Sequence, residues 1–232
     1  MLDRIQYLGL RTLGVFLYLP HRIGLLMKHL RAGLIGFKSN EIIYWWMDLF
    51  FLILGVLGIM DIYEGLANLL KKDSRPLSPQ EIQWSRLVYG DAIPYHLVRV
   101  DEKAFLGPPQ MHIAYVSGAT INAWGRMPIP LLIHELMHVW QFYHLGLAYI
   151  PRALRAYHSE VGYNYGGVEA LQEAQAIGQR LQSFNYEQQA DIMADFMRIQ
   201  LGLRPVWGNG NRQNLSTYQY FIDQAKEQNL PV

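Results

Sequence analysis

Residues 131–145, LLIHELMHVWQFYHL, carry the side chains best suited to chemistry in this chain. They include His134, Glu135 and His138 in the pattern H-E-x-x-H. On an α-helix, residues four apart lie on the same face, so both imidazoles can reach one metal ion. Glu135 is the next residue along and can take a proton from a water molecule held by that ion. The pattern predicts a catalytic zinc site, because imidazole is a good zinc ligand and such sites combine three protein ligands with a water.

The residues around the motif predict that it lies on a helix. Pro128 and Pro130 precede it, and Gly146 after it is a typical helix stop. Between them, apolar side chains form a broad packing surface: Ile133, Leu136, Met137, Val139 and Trp140. The alternative is a buried helix whose two histidines bind no metal.

The third protein ligand must be a further residue, and His144 is one candidate. It lies six residues after His138, where a metzincin pattern has its last histidine. That pattern requires a glycine where this chain has Gln141, so we expect the helix to continue. Continuation turns His144 by about 240° away from the metal. Glu160 and Glu169 are further alternatives.

Glu187 is the favoured third ligand. It lies within residues 183–202, where apolar side chains recur at helical spacing behind a potential N-cap, Asn185. Asp191 follows one turn later on the same helical face, where its carboxylate can orient a histidine ligand through a hydrogen bond. The alternative is that both carboxylates are surface charges at the start of a helix.

These two segments together resemble the gluzincins, zinc peptidases whose third ligand is the first glutamate of an E-x-x-x-D pattern. The chain has H-E-L-M-H at residues 134–138 and E-Q-Q-A-D at residues 187–191. More closely, the run from Arg75 to Gly202 is similar to bacterial zincin-like domains found beside type VI secretion, Vgr and Rhs elements. The residues that carry this likeness are R-P-L-S-P at 75–79, Y-G-D-A at 89–92, I-H-E-L-M-H-V-W-Q at 133–141 and Y-E-Q-Q-A-D at 186–191.

The resemblance covers a little over half of the chain and implies a zinc metallopeptidase with a zincin-like α+β fold. It implies that His134, His138 and Glu187 bind zinc, that Glu135 is the general base, and that Asp191 supports a ligand. It also implies a small sheet whose edge strand holds an extended peptide by backbone pairing. This chain departs from the family in the long interval between its second histidine and the glutamate.

Three residues between the metal-binding segments are candidates for oxyanion stabilisation. His158, Tyr163 and Tyr165 could each donate a hydrogen bond to the oxygen that becomes negative when water attacks a carbonyl. The chain has fifteen tyrosines, so the sequence does not single out one of them.

The remaining patterns after residue 72 predict a small mixed domain. Ser78 and Glu81 can form a capping box for a helix over Pro79–Tyr89. We expect three strands, at residues 96–100, 111–116 and 119–124, and further helices at 168–182 and 215–226. His96 and His112 are expected on strand surfaces rather than as metal ligands.

Residues 1–72 differ from the rest in charge. Residues 1–40 contain six lysines and arginines against Asp3 alone, a net charge of +5, whereas residues 76–232 have a net charge of −2. Pro20 separates two short apolar helical patterns, and neither has the cleavage site of a removable signal peptide. This basic arm is predicted to lie on anionic lipid or to dock on a partner; alternatively, its helices pack into the core.

Residues 42–60, IIYWWMDLFFLILGVLGIM, contain a single charge, Asp48. This segment is about long enough to span a bilayer, and its aromatic residues 44–46 resemble an interfacial belt. Asp48 opposes spanning, because a charge near the middle of a membrane costs about 3 kcal/mol. The alternative is one long helix that continues past Met60 and is buried against the domain. Membrane association is favoured, with a secreted effector as the alternative location.

Composition excludes several kinds of protein. The chain has no cysteine, so disulfides and thiolate ligands are excluded. Its hydrophobic fraction of 51% is ample for a core, and its charged fraction of 17% is below the usual quarter. The sequence has no glycine-rich phosphate loop, and its catalytic part has no basic patch with interleaved aromatics, so nucleic acid is not an expected partner.

The sequence therefore predicts two parts, joined by a polar, proline-containing segment at residues 71–79 that is interpreted as a linker. Residues 1–72 form an apolar, basic helical region, and residues 73–232 a zincin-like catalytic domain. The predicted function is a zinc metallopeptidase acting on peptide or protein substrates, as a secretion-associated effector or toxin. The alternative is an inactive, zinc-stapled adaptor or delivery protein that works through residues 1–72, with a membrane or the secretion apparatus as partner.

Overall fold

A computed structural model of the chain describes residues 2–33, 39–71, 73–104 and 114–230. Within these ranges the protein is mostly helical, with ten α-helices and a small mixed sheet of four strands. The α+β class expected from the sequence is therefore observed. The helices are α1 Leu2–Leu17, α2 Leu19–Ala32, α3 Ser39–Val56, α4 Ile59–Leu70, α5 Pro79–Tyr89, α6 Ile129–Leu145, α7 Tyr149–Tyr157, α8 Gly167–Ala176, α9 Tyr186–Gln200 and α10 Leu215–Lys226.

The apolar segment at residues 42–60 does not form one continuous helix. α3 ends at Val56 and α4 begins at Ile59, after Gly58, whose φ of 67° lies in the left-handed region. Glycine is required here on a second ground: a Cβ on Gly58 would lie 2.6 Å from Cγ1 of Val15 on α1. The alternative of one long helix past Met60 is therefore wrong, because α3 and α4 are separated at Gly58, where α1 packs closely.

That bend also limits the segment as a membrane span. Among the described helices, no single one has the length and hydropathy of a transmembrane helix. Glu41–Val56 and Ile59–Leu70 together meet these criteria by length and composition, but they are bent by 63° at the break.

The four strands are β1 Ser74–Pro76, β2 Arg99–Asp101, β3 Tyr115–Ser117 and β4 Thr120–Asn122. Their order is β1-β2-β4-β3, in which β2 and β4 are parallel and the other two pairs antiparallel. β3 is at the edge of the described sheet and joins β4 through a tight turn at Gly118, where φ is 58°.

Two sequence expectations about the sheet are corrected. The strand expected at residues 96–100 starts only at Arg99, because residues Tyr95–Leu97 form a 3₁₀ turn closed by hydrogen bonds from Leu97 N to Pro94 O and from Val98 N to Tyr95 O. The expected linker at residues 71–79 contains β1, which pairs with β2. His96 is exposed on the 3₁₀ turn, and His112 lies outside the described residues.

The strands expected at residues 111–116 and 119–124 correspond in part to β3 and β4, although residues 111–113 are outside the described ranges. The helix expected at residues 168–182 ends at Ala176 as α8, and Gly178, with φ 69°, follows it. A separate 3₁₀ turn covers Leu181–Ser183. α5 and α10 have the predicted bounds, and Ser78 and Glu81 form the predicted capping box.

Candidate metal centre

α6 carries the H-E-x-x-H motif through the middle of the protein. It begins after Pro128, with Pro130 in its first turn, and ends at Gly146, whose φ is 76°. Fourteen of its seventeen residues are buried, and it packs most extensively against α9. His134 and His138 are each 7% exposed. The motif is thus held on a helix whose whole circumference is fixed by packing.

α9 brings the third candidate ligand to α6. Asn185 caps this helix, because its side-chain oxygen accepts hydrogen bonds from the backbone N–H groups of Glu187 and Gln188. The predicted N-cap is therefore confirmed. The side-chain oxygen of Gln188 accepts a hydrogen bond from the backbone N–H of Asn185, which completes a capping box that was not predicted. This cap fixes Glu187 in the first turn, where the side chain is 6% exposed and faces the two histidines.

His134, His138 and Glu187 form a buried triad, the group within the described residues that could hold a metal ion. Oε2 of Glu187 lies 3.3 Å from Nε2 of each histidine, and the three ligand atoms are all within 4.8 Å of one another. Tetrahedral zinc with bonds of roughly 2.0–2.1 Å has neighbouring ligand atoms about 3.3 Å apart. The triad therefore offers three ligand atoms close enough together to hold one metal ion.

The other candidate ligands do not join this group. The Nε2 of His144 is 2.8 Å from the carbonyl oxygen of Ala92, so this histidine is directed away from the triad, as helix continuation predicts. Glu160 and Glu169 are exposed on the surface. Of the alternatives raised by the sequence, only Glu187 lies beside both histidines.

Two polar side chains orient the histidines through Nδ1. His134 donates to Oδ1 of Asp191 at 2.8 Å, and His138 donates to Oε1 of Gln141 at 2.9 Å. Both Nε2 atoms are consequently left to face Glu187, which is the arrangement found in zinc sites with supporting carboxylates. Asp191 was predicted for this position; Gln141 was not, although its spacing of three residues from His138 places it on the same helical face.

Gln141 and Asp191 are themselves fixed by hydrogen bonds to other residues. The amide nitrogen of Gln141 donates to the Tyr186 carbonyl and to Oε1 of Gln189, both at 3.1 Å. These bonds turn its oxygen towards the histidine. The indole N–H of Trp207 donates to Oδ2 of Asp191 at 2.5 Å. Trp207 lies sixteen residues after Asp191 in a loop, so no local pattern in the sequence could reveal this contact.

The electrostatics of the triad suit a cation. Burial lowers the pKa of His134, but hydrogen bonds to Asp191 and Glu187 outweigh it and raise the pKa to about 10. Burial raises the pKa of Glu187, but the charge of His138 and the hydrogen bonds of both histidines outweigh it and lower the pKa to about 2. The site thus stabilises positive charge beside an ionised glutamate, and a divalent ion can supply that charge in place of protons.

Glu135 lies beside the triad, and one of its carboxylate oxygens forms no hydrogen bond with the described residues. The residue is 3% exposed, and its Oε2 atom is buried with no partner among the described residues. Burial raises the pKa of this carboxyl despite the opposing charges of His134 and His138. A buried polar atom left unpaired costs about 1–3 kcal/mol, so such a position calls for a water or substrate partner.

A cavity of about 390 Å³ opens over the triad and Glu135. Its walls are mainly aliphatic and aromatic, and come from β3, α7 and the loop after α7. The lining residues beyond the triad and Glu135 are Ala114, Tyr115, Val116, Tyr149, Ile150, Ala153, Leu154, Tyr157, His158 and Tyr163. This is the size of a pocket that receives a small ligand or a side chain of a peptide.

Two of the three oxyanion candidates line this cavity, and one does not. The ring of Tyr163 is 5.7 Å from that of His134, and its hydroxyl pKa is raised by burial and by nearby carboxylates, which keeps it protonated. His158 is an exposed residue at the cavity rim. Tyr165 is buried elsewhere in the core, and its hydroxyl is 2.8 Å from Asp195 and 2.9 Å from the Tyr218 hydroxyl.

Asp48 connects the N-terminal helices to this site. Its Oδ2 atom accepts a hydrogen bond from Nε of Arg152 on α7 at 2.8 Å and forms an ion pair with Nη2 of the same side chain at 2.7 Å. Nη1 of the same arginine donates to the Tyr186 hydroxyl at 2.9 Å, one residue before Glu187. The charge that interrupts the apolar segment is thus paired with Arg152, which in turn contacts Tyr186 on the helix that carries the third candidate ligand.

Comparison with known proteins finds one relevant similarity. No protein-family model matches the chain, and no solved structure matches it. The type VI secretion system spike protein VgrG2b of Pseudomonas aeruginosa is 32% identical over 136 residues, which cover 53% of this chain and 13% of that protein. The chain is therefore similar to a short part of a much longer spike protein.

Proposed function

We propose that this protein is a zinc-dependent hydrolase, and specifically a metallopeptidase that serves as an effector linked to type VI secretion. The observation that carries the proposal is the buried triad of His134, His138 and Glu187 with the unpartnered Glu135 carboxylate beside it at the base of a cavity. The partial similarity to a type VI spike protein supports the link to secretion.

Each residue of the site has a distinct task in this mechanism. A bound zinc ion would supply an acidified water and a Lewis acid for the attacked carbonyl. Glu135 takes the proton of the attacking water on its free oxygen and delivers it to the leaving amine. Asp191 and Gln141 hold the two imidazoles in place. Tyr163, with its hydroxyl kept protonated, is positioned to donate to the developing oxyanion.

The cavity walls favour an apolar group next to the bond that is cleaved. Val116, Ile150, Ala153 and Leu154 lie around the opening, with Tyr157 at one side. Burying a Val, Leu or Phe side chain against such a wall is worth roughly 1.5–3 kcal/mol. We therefore expect peptides with a large apolar residue beside the scissile bond to be cleaved fastest.

The test compares three forms of the full chain loaded with zinc: the wild type, Glu135→Gln and Glu187→Ala. Cleavage of a mixed peptide library is measured by mass spectrometry, and bound metal by elemental analysis. We expect Glu135→Gln to retain zinc and to lose roughly 10²–10⁴ in rate, because general-base catalysis typically contributes that factor. Glu187→Ala should lose both zinc and cleavage.

The proposal would be contradicted by a zinc-loaded wild type that cleaves no peptide in the library and whose biological effect is unchanged in Glu135→Gln. That result would favour the adaptor alternative, in which zinc only stabilises the fold. Zinc retained by Glu187→Ala would instead show that another residue completes the ligand set.

A further inference from the structure

The N-terminal helices have their polar side chains inside and their apolar side chains outside. On α4, Asp61, Glu64 and Asn68 are buried, at 2%, 0% and 3% exposure. The opposite face carries five large side chains that are 43–83% exposed: Ile59, Ile62, Tyr63, Leu66 and Leu70. Helices on the surface of a water-soluble protein have the reverse arrangement.

α1 and α2 repeat this arrangement around the same centre. Arg11 on α1 and Arg22 on α2 are buried, and both pair with Asp61, at 3.1 and 2.6 Å. Since three helices direct their polar faces to one cluster, their other faces point outwards. The large apolar residues exposed there are Leu2, Ile5, Leu13 and Phe16 on α1, and Ile23, Met27 and Leu30 on α2.

α3 adds an exposed apolar stripe at helical spacing. It consists of Ile43, Trp46, Met47, Phe50 and Ile53, all between 38% and 64% exposed. The buried side of α3 instead holds Asp48, paired with Arg152. We call these exposed residues of α1 to α4 together the apolar face. Exposed apolar side chains in such numbers on four helices that pack against one another mark a site of contact with a membrane or another protein.

Two features of the apolar face favour lipid over protein as its occupant. Paired charges that face inward and aliphatic side chains that face outward are the arrangement that helices adopt in contact with lipid. In addition, the basic residues Lys28 and Arg31 are exposed in the last turns of α2, next to Met27 and Leu30 of the face. Cations beside an apolar surface complement anionic headgroups above acyl chains.

We propose that the apolar face binds the surface of a lipid bilayer that contains anionic lipids, with Lys28 and Arg31 at the headgroups. The bend at Gly58 fits this interfacial placement, since it turns α4 away from the axis of α3. The proposal does not depend on catalysis, because none of these residues lines the cavity over the triad.

The test is flotation of the full chain with vesicles of phosphatidylcholine alone, and with vesicles of phosphatidylcholine and phosphatidylglycerol in equal amounts. The wild type should float with the mixed vesicles. Phe50→Asp combined with Leu66→Asp should weaken binding by roughly a hundredfold or more, since each lost anchor is worth about 1.5 kcal/mol or more. Both side chains are more than half exposed, so these substitutions leave the fold intact, which circular dichroism verifies.

Two further variants separate the contribution of the basic residues to vesicle binding from that of the apolar face. Lys28→Gln with Arg31→Gln should reduce binding to the mixed vesicles by about thirtyfold and leave binding to phosphatidylcholine unchanged, because each basic residue near an anionic surface contributes about 1 kcal/mol. Ile177→Asp is the matched control, since Ile177 is 78% exposed but lies after α8, outside the apolar face. It should float like the wild type.

Three results would overturn the proposal. The first is a wild type that floats with neither vesicle, and the second is an Ile177→Asp control that loses as much binding as the double aspartate variant. The third is a stable dimer in lipid-free buffer that the double aspartate variant converts to monomers while the wild type fails to float. That last result would assign the face to contact between copies of this chain.

Discussion

Buried charge has opposite meanings in the two halves of this protein. Among the N-terminal helices, Arg11 and Arg22 converge on Asp61, and the cluster is closed off from solvent. Some Arg11 nitrogens in that cluster also lack a hydrogen-bond partner, but Arg11 does not line the cavity over the triad. In the second half, Glu135 is equally buried, yet its Oε2 atom has no hydrogen-bond partner among the described residues, and the residue lines an open cavity. Burial of charge alone therefore does not identify a site; a directed, unsatisfied atom next to accessible space does.

The largest expected effect comes from breaking the closed cluster. Asp61→Ala leaves two buried guanidinium groups without their carboxylate, and should reduce the free energy of unfolding by about 3–5 kcal/mol. Urea denaturation followed by circular dichroism measures the change. Asp91→Ala is the matched control, because Asp91 forms an exposed pair with Arg86 and should change stability by only about 0.5 kcal/mol. Equal effects of the two substitutions would contradict the structural role of the cluster.

The second prediction compares two tyrosines that the sequence could not separate. Tyr163→Phe should lower kcat about a hundredfold if its hydroxyl stabilises the oxyanion, with little effect on unfolding. Tyr165→Phe removes a hydroxyl bonded to Asp195 and Tyr218, and should cost about 1 kcal/mol of stability without changing kcat. Steady-state kinetics and urea denaturation of both variants test this. The reverse outcome would place the donor at Tyr165.

The third prediction concerns the side chains that orient the histidines. Gln141→Leu and Asp191→Leu should each weaken zinc affinity about 10- to 100-fold, because the imidazoles lose their Nδ1 partners. Competition with a chromophoric chelator measures the affinity. Gln219→Leu serves as the control, since its amide donates to Asp223 within α10 and contacts neither histidine. A zinc affinity unchanged in both site variants would show that packing alone orients the ligands.

A structural feature could be predicted from the sequence when the residues that determine it lie close together in the chain. α6, α9 and α5 were predictable because helical spacing, Asn185 and Ser78 encode them within a few residues. The triad was predictable as well. Helix geometry places His134 and His138 on one face of α6, and the cap at Asn185 fixes Glu187 in the first turn of α9. These contacts need only the two helices to pack against one another.

Features that depend on distant residues were missed. Trp207 reaches Asp191 from a loop, and the break at Gly58 is set by Val15 on another helix. The short strand β1 was interpreted as linker because its partner, β2, lies 25 residues further along. The inverted N-terminal helices were recognised only as apolar and basic, because the burial of Arg11 becomes apparent only when α4 supplies Asp61.

The smallest predicted effect tests how the two halves are joined. Asp48→Asn weakens the ion pair with Arg152, which is partly exposed, so we expect a loss of about 1 kcal/mol in the free energy of unfolding. Vesicle flotation should stay as in the wild type, because Asp48 faces the protein. Stronger flotation of Asp48→Asn would show that this side chain faces lipid instead.

X-ray absorption at the zinc edge of the zinc-loaded protein tests the central claim most directly, because it counts the ligands without requiring a substrate. The structure predicts two imidazoles and oxygen ligands at roughly 2.0–2.1 Å, with the imidazole count falling to one in His138→Ala. Three imidazoles in the wild type would contradict the assignment of Glu187 as the third ligand. Zinc that is bound only in a fully hydrated form, with no imidazole, would contradict the metal centre itself.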